Sequence, residues 1–309
     1  MGHPAAGLDC KAALEIVEGI DQITLCNLQG ASATVSLHGG QVVSWKNEYG
    51  EELLYSCNKP AAKHPKSSRG GIPICFPQFS TCASLESHGF ARNKLMQIDP
   101  NPPSSYPRES TGSSFVNLLL KPSDNDLKRW PYSFEFRMRV TLSERGDLIL
   151  TTRIRNINRK PFSFSFVYHT HFSVSDISEV RIEGLETLDY LDNLCARVRC
   201  TEQGDAVTFE SEVDRVYVGS PNTIAVIDHE RKRTYVIRKE GLPEAVVWNP
   251  WEKTKLMPDF GDEDYKQMVC VDAAVLHKPV TLKPREEWTG RLWLSVEPSS
   301  FCSEHYGLG

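Results

Sequence analysis

No stretch of the chain approaches the roughly 18 consecutive apolar residues that a membrane-spanning helix needs. The leading residues, MGHPAAG, have neither the basic n-region nor the apolar h-region of an export signal. A cytoplasmic protein that does not engage membranes is the resulting expectation. Gly2 invites N-myristoylation, but Ala6 stands where that motif wants Ser or Thr. CxxC pairs are also lacking, since the nine cysteines stand apart at positions 10, 26, 57, 75, 82, 195, 200, 270 and 302. An odd number without zinc-ligand spacing points to reduced thiols in a cytosol rather than to a disulfide frame. Basic charge is not in excess, with 35 Lys and Arg against 40 Asp and Glu and a formal net charge of −5. That removes the electrostatic footprint of a nucleic-acid binder. Glycine-rich phosphate-binding and dinucleotide signatures are absent too, so kinase and dehydrogenase readings lose their usual support.

What is present is short-period alternation. Residues 134–140 place Phe134, Phe136, Met138 and Val140 on one face, with Glu135, Arg137 and Arg139 on the other, which is the pattern of a half-buried strand. Residues 23–26, 34–37, 148–154, 206–209, 223–227, 234–238, 245–248, 268–271 and 289–296 read the same way. Many short strands separated by Gly, Pro, Asn and Asp predict an all-β protein built as a large antiparallel β-sandwich. The Pro- and Ser-rich residues 101–122, and part of 57–68, read as surface excursions. With no internal repeat and no compositional shift, the expected organisation is an extension over residues 1–20, one sandwich domain over 21–300 and a tail over 301–309. A monomer is the expected state.

The segment richest in chemistry is FSFSFVYHTH, residues 162–171. As a strand it turns Phe162, Phe164, Phe166 and Tyr168 to a core and puts Ser163, Ser165, His169 and His171 on the opposite face. Histidine titrates near neutral pH, so an imidazole held on a strand facing a cleft is a candidate proton donor or acceptor. Two further segments, RGGIPICFPQ from Arg69 and SHGFARN from Ser87, place an arginine beside glycine turns where backbone can approach a ligand. The guanidinium fork suits phosphate or carboxylate, although a surface arginine beside an ordinary turn fits the same residues. In MVCVDAAV, residues 268–275, Asp272 interrupts an apolar run. It needs a partner or a cleft, or it ends the strand and caps a turn.

Six motifs stand in one order: RGGIP from Arg69, HGFARN from His88, YHTHF from Tyr168, VDRVY from Val213, VWNP from Val247 and VCVDAA from Val269. In this the chain resembles the glucose-6-phosphate 1-epimerases of the aldose 1-epimerase, or galactose mutarotase-like, superfamily over about residues 25–296. The resemblance implies a β-sandwich whose concave face holds a hexose 6-phosphate, with no cofactor and no metal. It implies that His169 is the general acid and that Asp272 takes the place of the general base, where many relatives carry Glu. It also implies ligand contacts for Arg69, Arg92 and Asp214, for Ser87 where relatives often carry Gln, and for His88 as a second sugar-facing histidine. Trp248 would offer an apolar face to the sugar. Asp214 with Arg215 as a local ion pair, and Trp248 as core, remain alternatives. Two rival functions are a cupin-like metal enzyme using His169, His171 and Asp176, and a non-catalytic sugar-binding module in which Asp272 marks a lost catalyst.

Overall fold

Alternating apolar residues decide which way each strand faces, and the pattern closes into three antiparallel sheets. The structure is a computed structural model that describes residues 21–57, 70–80, 85–104, 106, 112–257 and 260–299, together with the strand Leu14–Ile16. Leu14–Ile16, Gln22–Cys26, Ser32–Ser36 and Val42–Lys46 form a four-stranded sheet. A second sheet of eight strands contains Ile74–Cys75, Phe162–Tyr168, His171–Ser173, Asp189–Asp192, Val198–Thr201, Val213–Tyr217, Glu244–Asn249 and Met268–Leu282. The third, also eight-stranded, includes the long pairs Phe134–Leu142 with Leu148–Asn156 and Arg233–Glu240 with Glu287–Pro298.

One apolar cluster joins them: Phe134, Phe136 and Met138 of the third sheet pack with Phe162, Phe164, Phe166 and Tyr168 of the second and with Ile23, Leu25 and Val35 of the first. Burial of such side chains supplies about 1.5–3 kcal/mol each relative to exposure. Polar atoms trapped between the layers are used as links. The Tyr168 hydroxyl donates to Thr152 Oγ1 at 2.7 Å across the sandwich, and Trp45 Nε1 donates to the Gly146 carbonyl at 2.9 Å.

Most expected strands are present, several of them longer than the sequence suggests, and three departures have physical causes. The single strand expected over residues 162–171 is broken after Tyr168 and resumes at His171. There the amide of Thr170 donates to the Asp272 side chain at 2.9 Å instead of continuing the ladder. Residues 206–209 make only an isolated bridge, Ile182 with Val207. Residues 101–122 are not all surface, because Ser114–Leu120 is a strand paired on both sides. Its Val116, Leu118 and Leu120 are buried, a pattern masked in the sequence by the preceding Pro and Ser residues.

Glycine is required where the RGGIP and SHGFARN segments cross other backbone. Gly71 has φ +62°, and a Cβ there would lie 2.2 Å from the Val42 carbonyl oxygen; at Gly89, φ +76°, the same atom would lie 2.2 Å from the Phe76 carbonyl oxygen. Both contacts are with backbone, which cannot swing aside. Gly89→Ala is therefore expected to lower unfolding free energy by about 1–3 kcal/mol, measured by urea denaturation. A change within experimental error would show that this crossing is not constrained as described.

Candidate active site

The second sheet faces its apolar side to the core and the other to a cleft of about 1220 Å³. Along Met268–Leu282, Val269, Val271, Ala273 and Val275 join the main core, which puts Cys270, Asp272, Ala274 and Leu276 on the cleft side by alternation. Register carries this across neighbouring strands: Asp214 pairs with Trp248, Trp248 with Cys270, and Cys270 with His171. Residues 71–77, which include the strand Ile74–Cys75, run along the histidine segment, with the amides of Ser165, His169 and His171 donating to the carbonyls of Pro77, Pro73 and Gly71. Thus the RGGIP glycines bring backbone close enough to hold the histidines in place.

His169 and Asp272 meet directly, with Nδ1 and Oδ2 2.7 Å apart. The carboxylate side chain is fully buried while 16% of the imidazole is exposed, so Asp272 lies beneath the ring rather than on the cleft wall. Burial pushes the Asp272 carboxyl well above the usual carboxylate range, opposed by the Thr170 amide hydrogen bond. A bare buried carboxylate is the disfavoured state, and a net-neutral pair is favoured. In that pair one proton occupies the Nδ1–Oδ2 hydrogen bond and a second sits on Nε2, whether the pair is written as two ions or as two neutral groups. Nε2–H, on the opposite edge of the ring, is the acid such a pair can present to a ligand.

Around His169 the cleft is lined by His88, Ser87, Arg92, Asp214 and Trp248, so five of the six ligand-contact residues expected from the sequence share one cavity. The sixth, Arg69, lies outside the described residues. His88 has φ +65°; its ring is near-parallel to that of His169 with centroids 6.2 Å apart, and its Nδ1 accepts from the Ser80 amide at 3.2 Å. Arg92 is carried by the short 3₁₀ turn Ala91–Asn93 that follows Gly89. Trp248 stands 5.9 Å from the His169 ring, centroid to centroid, and is only part-buried, so it belongs to the cleft wall.

The local ion pair between Asp214 and Arg215 does not form, because consecutive strand residues face opposite ways. Arg215 instead donates to Glu202 at 2.9 Å and lies over the Tyr190 ring, while Asp214 accepts from Asn193 Nδ2 at 2.7 Å. Asp176 is likewise spent elsewhere: it caps the turn Ile177–Glu179 through the Ser178 amide, which removes the third ligand of the cupin-like set. Among the described residues, the metal-capable group at this place is His169, His171 and Cys270. Lining residues that sequence reasoning missed are Asn193, Arg197, Glu86 and Phe79. Asn193 and Arg197 come from the loop at the end of Asp189–Asp192, where a left-handed Ala196–Arg197 pair leaves no spacing signature in the chain.

Burial raises the Asp214 carboxyl, partly offset by the Asn193 hydrogen bond. A carboxyl raised on folding binds protons more tightly in the folded state. Its ionisation therefore removes stability as pH climbs from the ordinary carboxylate value through the raised one. Asp214→Asn is expected to raise stability at pH 7 and to leave it nearly unchanged at pH 3, as read by urea unfolding. Destabilisation at pH 7 would contradict this electrostatic assignment.

The aldose 1-epimerase family matches residues 21–295. A protein of Cenchrus ciliaris named "Putative glucose-6-phosphate 1-epimerase" is 59% identical over 288 residues, 92% of this chain and 87% of that one. A protein of the same name from Salmonella typhimurium is 29% identical, covering 85% and 86% of the two chains. The crystal structure of a "putative mutarotase (YeaD)" from Salmonella typhimurium superposes with a TM-score of 0.80 at 25% identity, over 92% of this chain and 93% of that one. The sandwich is thus of the galactose mutarotase-like kind, and the chain belongs to the aldose 1-epimerase family of isomerases.

Proposed function

We propose that the protein interconverts the α and β anomers of glucose 6-phosphate, with His169 as the acid at the ring oxygen and Asp272 as its proton-accepting partner. The observation that carries the reading is the His169–Asp272 contact at the floor of the cleft that also holds Arg92. Nε2–H of His169 protonates the ring oxygen while the C1 hydroxyl loses its proton, and the ring opens to an aldehyde. Rotation about C1–C2 and closure on the other carbonyl face give the second anomer, with the proton transfers reversed. The C1–ring oxygen bond breaks with its electron pair going to the protonated oxygen and re-forms on closure, with no change of oxidation state, so the reaction calls for no cofactor. For Asp272 to take the hydroxyl proton, that hydroxyl replaces the imidazole at Oδ2 when the sugar binds. Hydrogen bonds of this kind commonly rearrange between the free and bound enzyme.

Arg92, with Arg69 by its place in the RGGIP motif, binds the phosphate dianion. Asp214, Ser87 and His88 take sugar hydroxyls, and Trp248 lies against sugar C–H groups. The names borne by the relatives support the choice of phosphohexose. A second reading has Asp214 as the base, favoured by its place on the cleft wall and its raised carboxyl.

His169→Ala and Asp272→Asn are each expected to slow anomer interconversion by at least about 100-fold, measured by exchange NMR on glucose 6-phosphate. Retention of wild-type rates by both would discard the pair. If Asp214→Asn abolishes kcat while Asp272→Asn only weakens it, the second reading is the correct one. Arg92→Ala is expected to lower kcat/KM for glucose 6-phosphate by about 10- to 150-fold, equivalent to roughly 1.5–3 kcal/mol, and to spare turnover of free glucose. Equal losses on both sugars would assign Arg92 to the hexose ring or the fold rather than to the phosphate.

A further inference from the structure

Beside the His169–Asp272 pair lies a second cross-strand pair, His171 with Cys270, which the proposed chemistry does not use. One ligand atom from each of His169, His171 and Cys270 lies within 4.8 Å of the others. Both imidazoles are tied at the same nitrogen. His169 Nδ1 meets the Asp272 carboxylate at 2.7 Å, and His171 Nδ1 lies 3.2 Å from the Gly71 carbonyl and 3.2 Å from that of His169. A carboxylate or backbone carbonyl on one ring nitrogen is the support that orients metal-ligating histidines and makes the other nitrogen the donor. His169 and His171 line the cleft, whereas Cys270 is fully buried and His171 nearly so, which places the thiol beneath the cleft surface rather than on a mobile one.

We propose that His169, His171 and Cys270 form a binding site for a thiophilic divalent cation of the zinc type, and that its occupation and catalysis exclude one another. Two imidazoles and a thiolate suit such an ion far better than a hard one such as Mg²⁺. A tetrahedral zinc ion, with bonds of about 2.0–2.1 Å to nitrogen and 2.3 Å to sulfur, sets ligand atoms roughly 3.3–3.7 Å apart. Modest side-chain rotation therefore closes the set, and the Cys270 thiol gives up its proton to solvent as the metal–sulfur bond forms. The cleft supplies the entry path and leaves the fourth position to water. Coordination takes His169 Nε2 away from the sugar ring oxygen, so the bound ion inhibits. Inhibition rests on the role given to His169 above; binding itself does not.

The test uses the full-length protein stripped with EDTA. Titration with Co²⁺ is expected to give a thiolate-to-cobalt charge-transfer band at one equivalent, lost in both Cys270→Ala and Cys270→Ser. Zn²⁺ is expected to suppress anomer interconversion in the wild type, reversed by EDTA and not reproduced by Mg²⁺. Cys270→Ala keeps the metal-free rate and needs at least about 10-fold more Zn²⁺ for half-inhibition. Absence of the Cys270-dependent band, or equal zinc sensitivity of wild type and both Cys270 variants, would overturn the site. A wild type that shows the band but does not act on glucose 6-phosphate would retain the metal site while refuting the function proposed above.

Discussion

The register between Phe162–Tyr168 and Met268–Leu282 is the constraint on which core and cleft both depend. Val167 faces Ala274 and Tyr168 faces Ala273, so one strand's aromatic side and the other's β-branched side enter the sandwich together. His169 and Asp272 are left on the reverse. A slip of one residue would exchange the faces of every side chain, burying histidine and carboxylate in the core and exposing phenylalanine. The apolar interior therefore enforces the alignment of the polar pair, and the site's geometry follows from core packing.

That enforcement has an energetic consequence. Asp272 is surrounded by protein and held by one backbone amide and one imidazole. Isolated carboxylates in such places are strongly disfavoured, so the pair is retained against a stability gradient, as is common where function is concentrated. Asp214 sits under the same tension with a single amide donor from Asn193. Asp272 below His169 and Asp214 on the wall, both raised by burial, set this face of the sheet apart from the surface ion pairs elsewhere. Exposed pairs such as Arg199 with Asp189 contribute little.

Aspartate at position 272 also shapes the pair. Its Oδ2 meets His169 Nδ1 while its Oδ1 accepts from the Thr170 amide. In the ligand-free protein the carboxyl thus braces His169 from below and fixes the orientation of its ring. The opposing wall is built differently, from turns. Gly89 permits the crossing that sets His88 and Arg92, and the loop that ends Asp189–Asp192 supplies Asn193 and Arg197. A rigid strand floor with loop walls lets selectivity vary without disturbing the floor.

Alternation was visible in the chain because side-chain direction in a strand has period 2. From it follow the antiparallel sandwich, the buried side of residues 162–168, and the shared face of Ser165, His169 and His171. Glycines in RGGIP and SHGFARN announced close backbone crossings, since only glycine tolerates them. Tertiary structure alone decided what no local pattern encodes. Asp272 is 103 residues from His169 yet in contact with it; Cys270 joins the histidines where Asp176 does not; Asn193 and Arg197 reach the cleft from a loop without periodicity. Local sequence fixes which face a residue takes, because that is set by its own backbone dihedrals. Which strand lies beside which depends on the pairing of distant segments, and a single chain carries no short-range record of it.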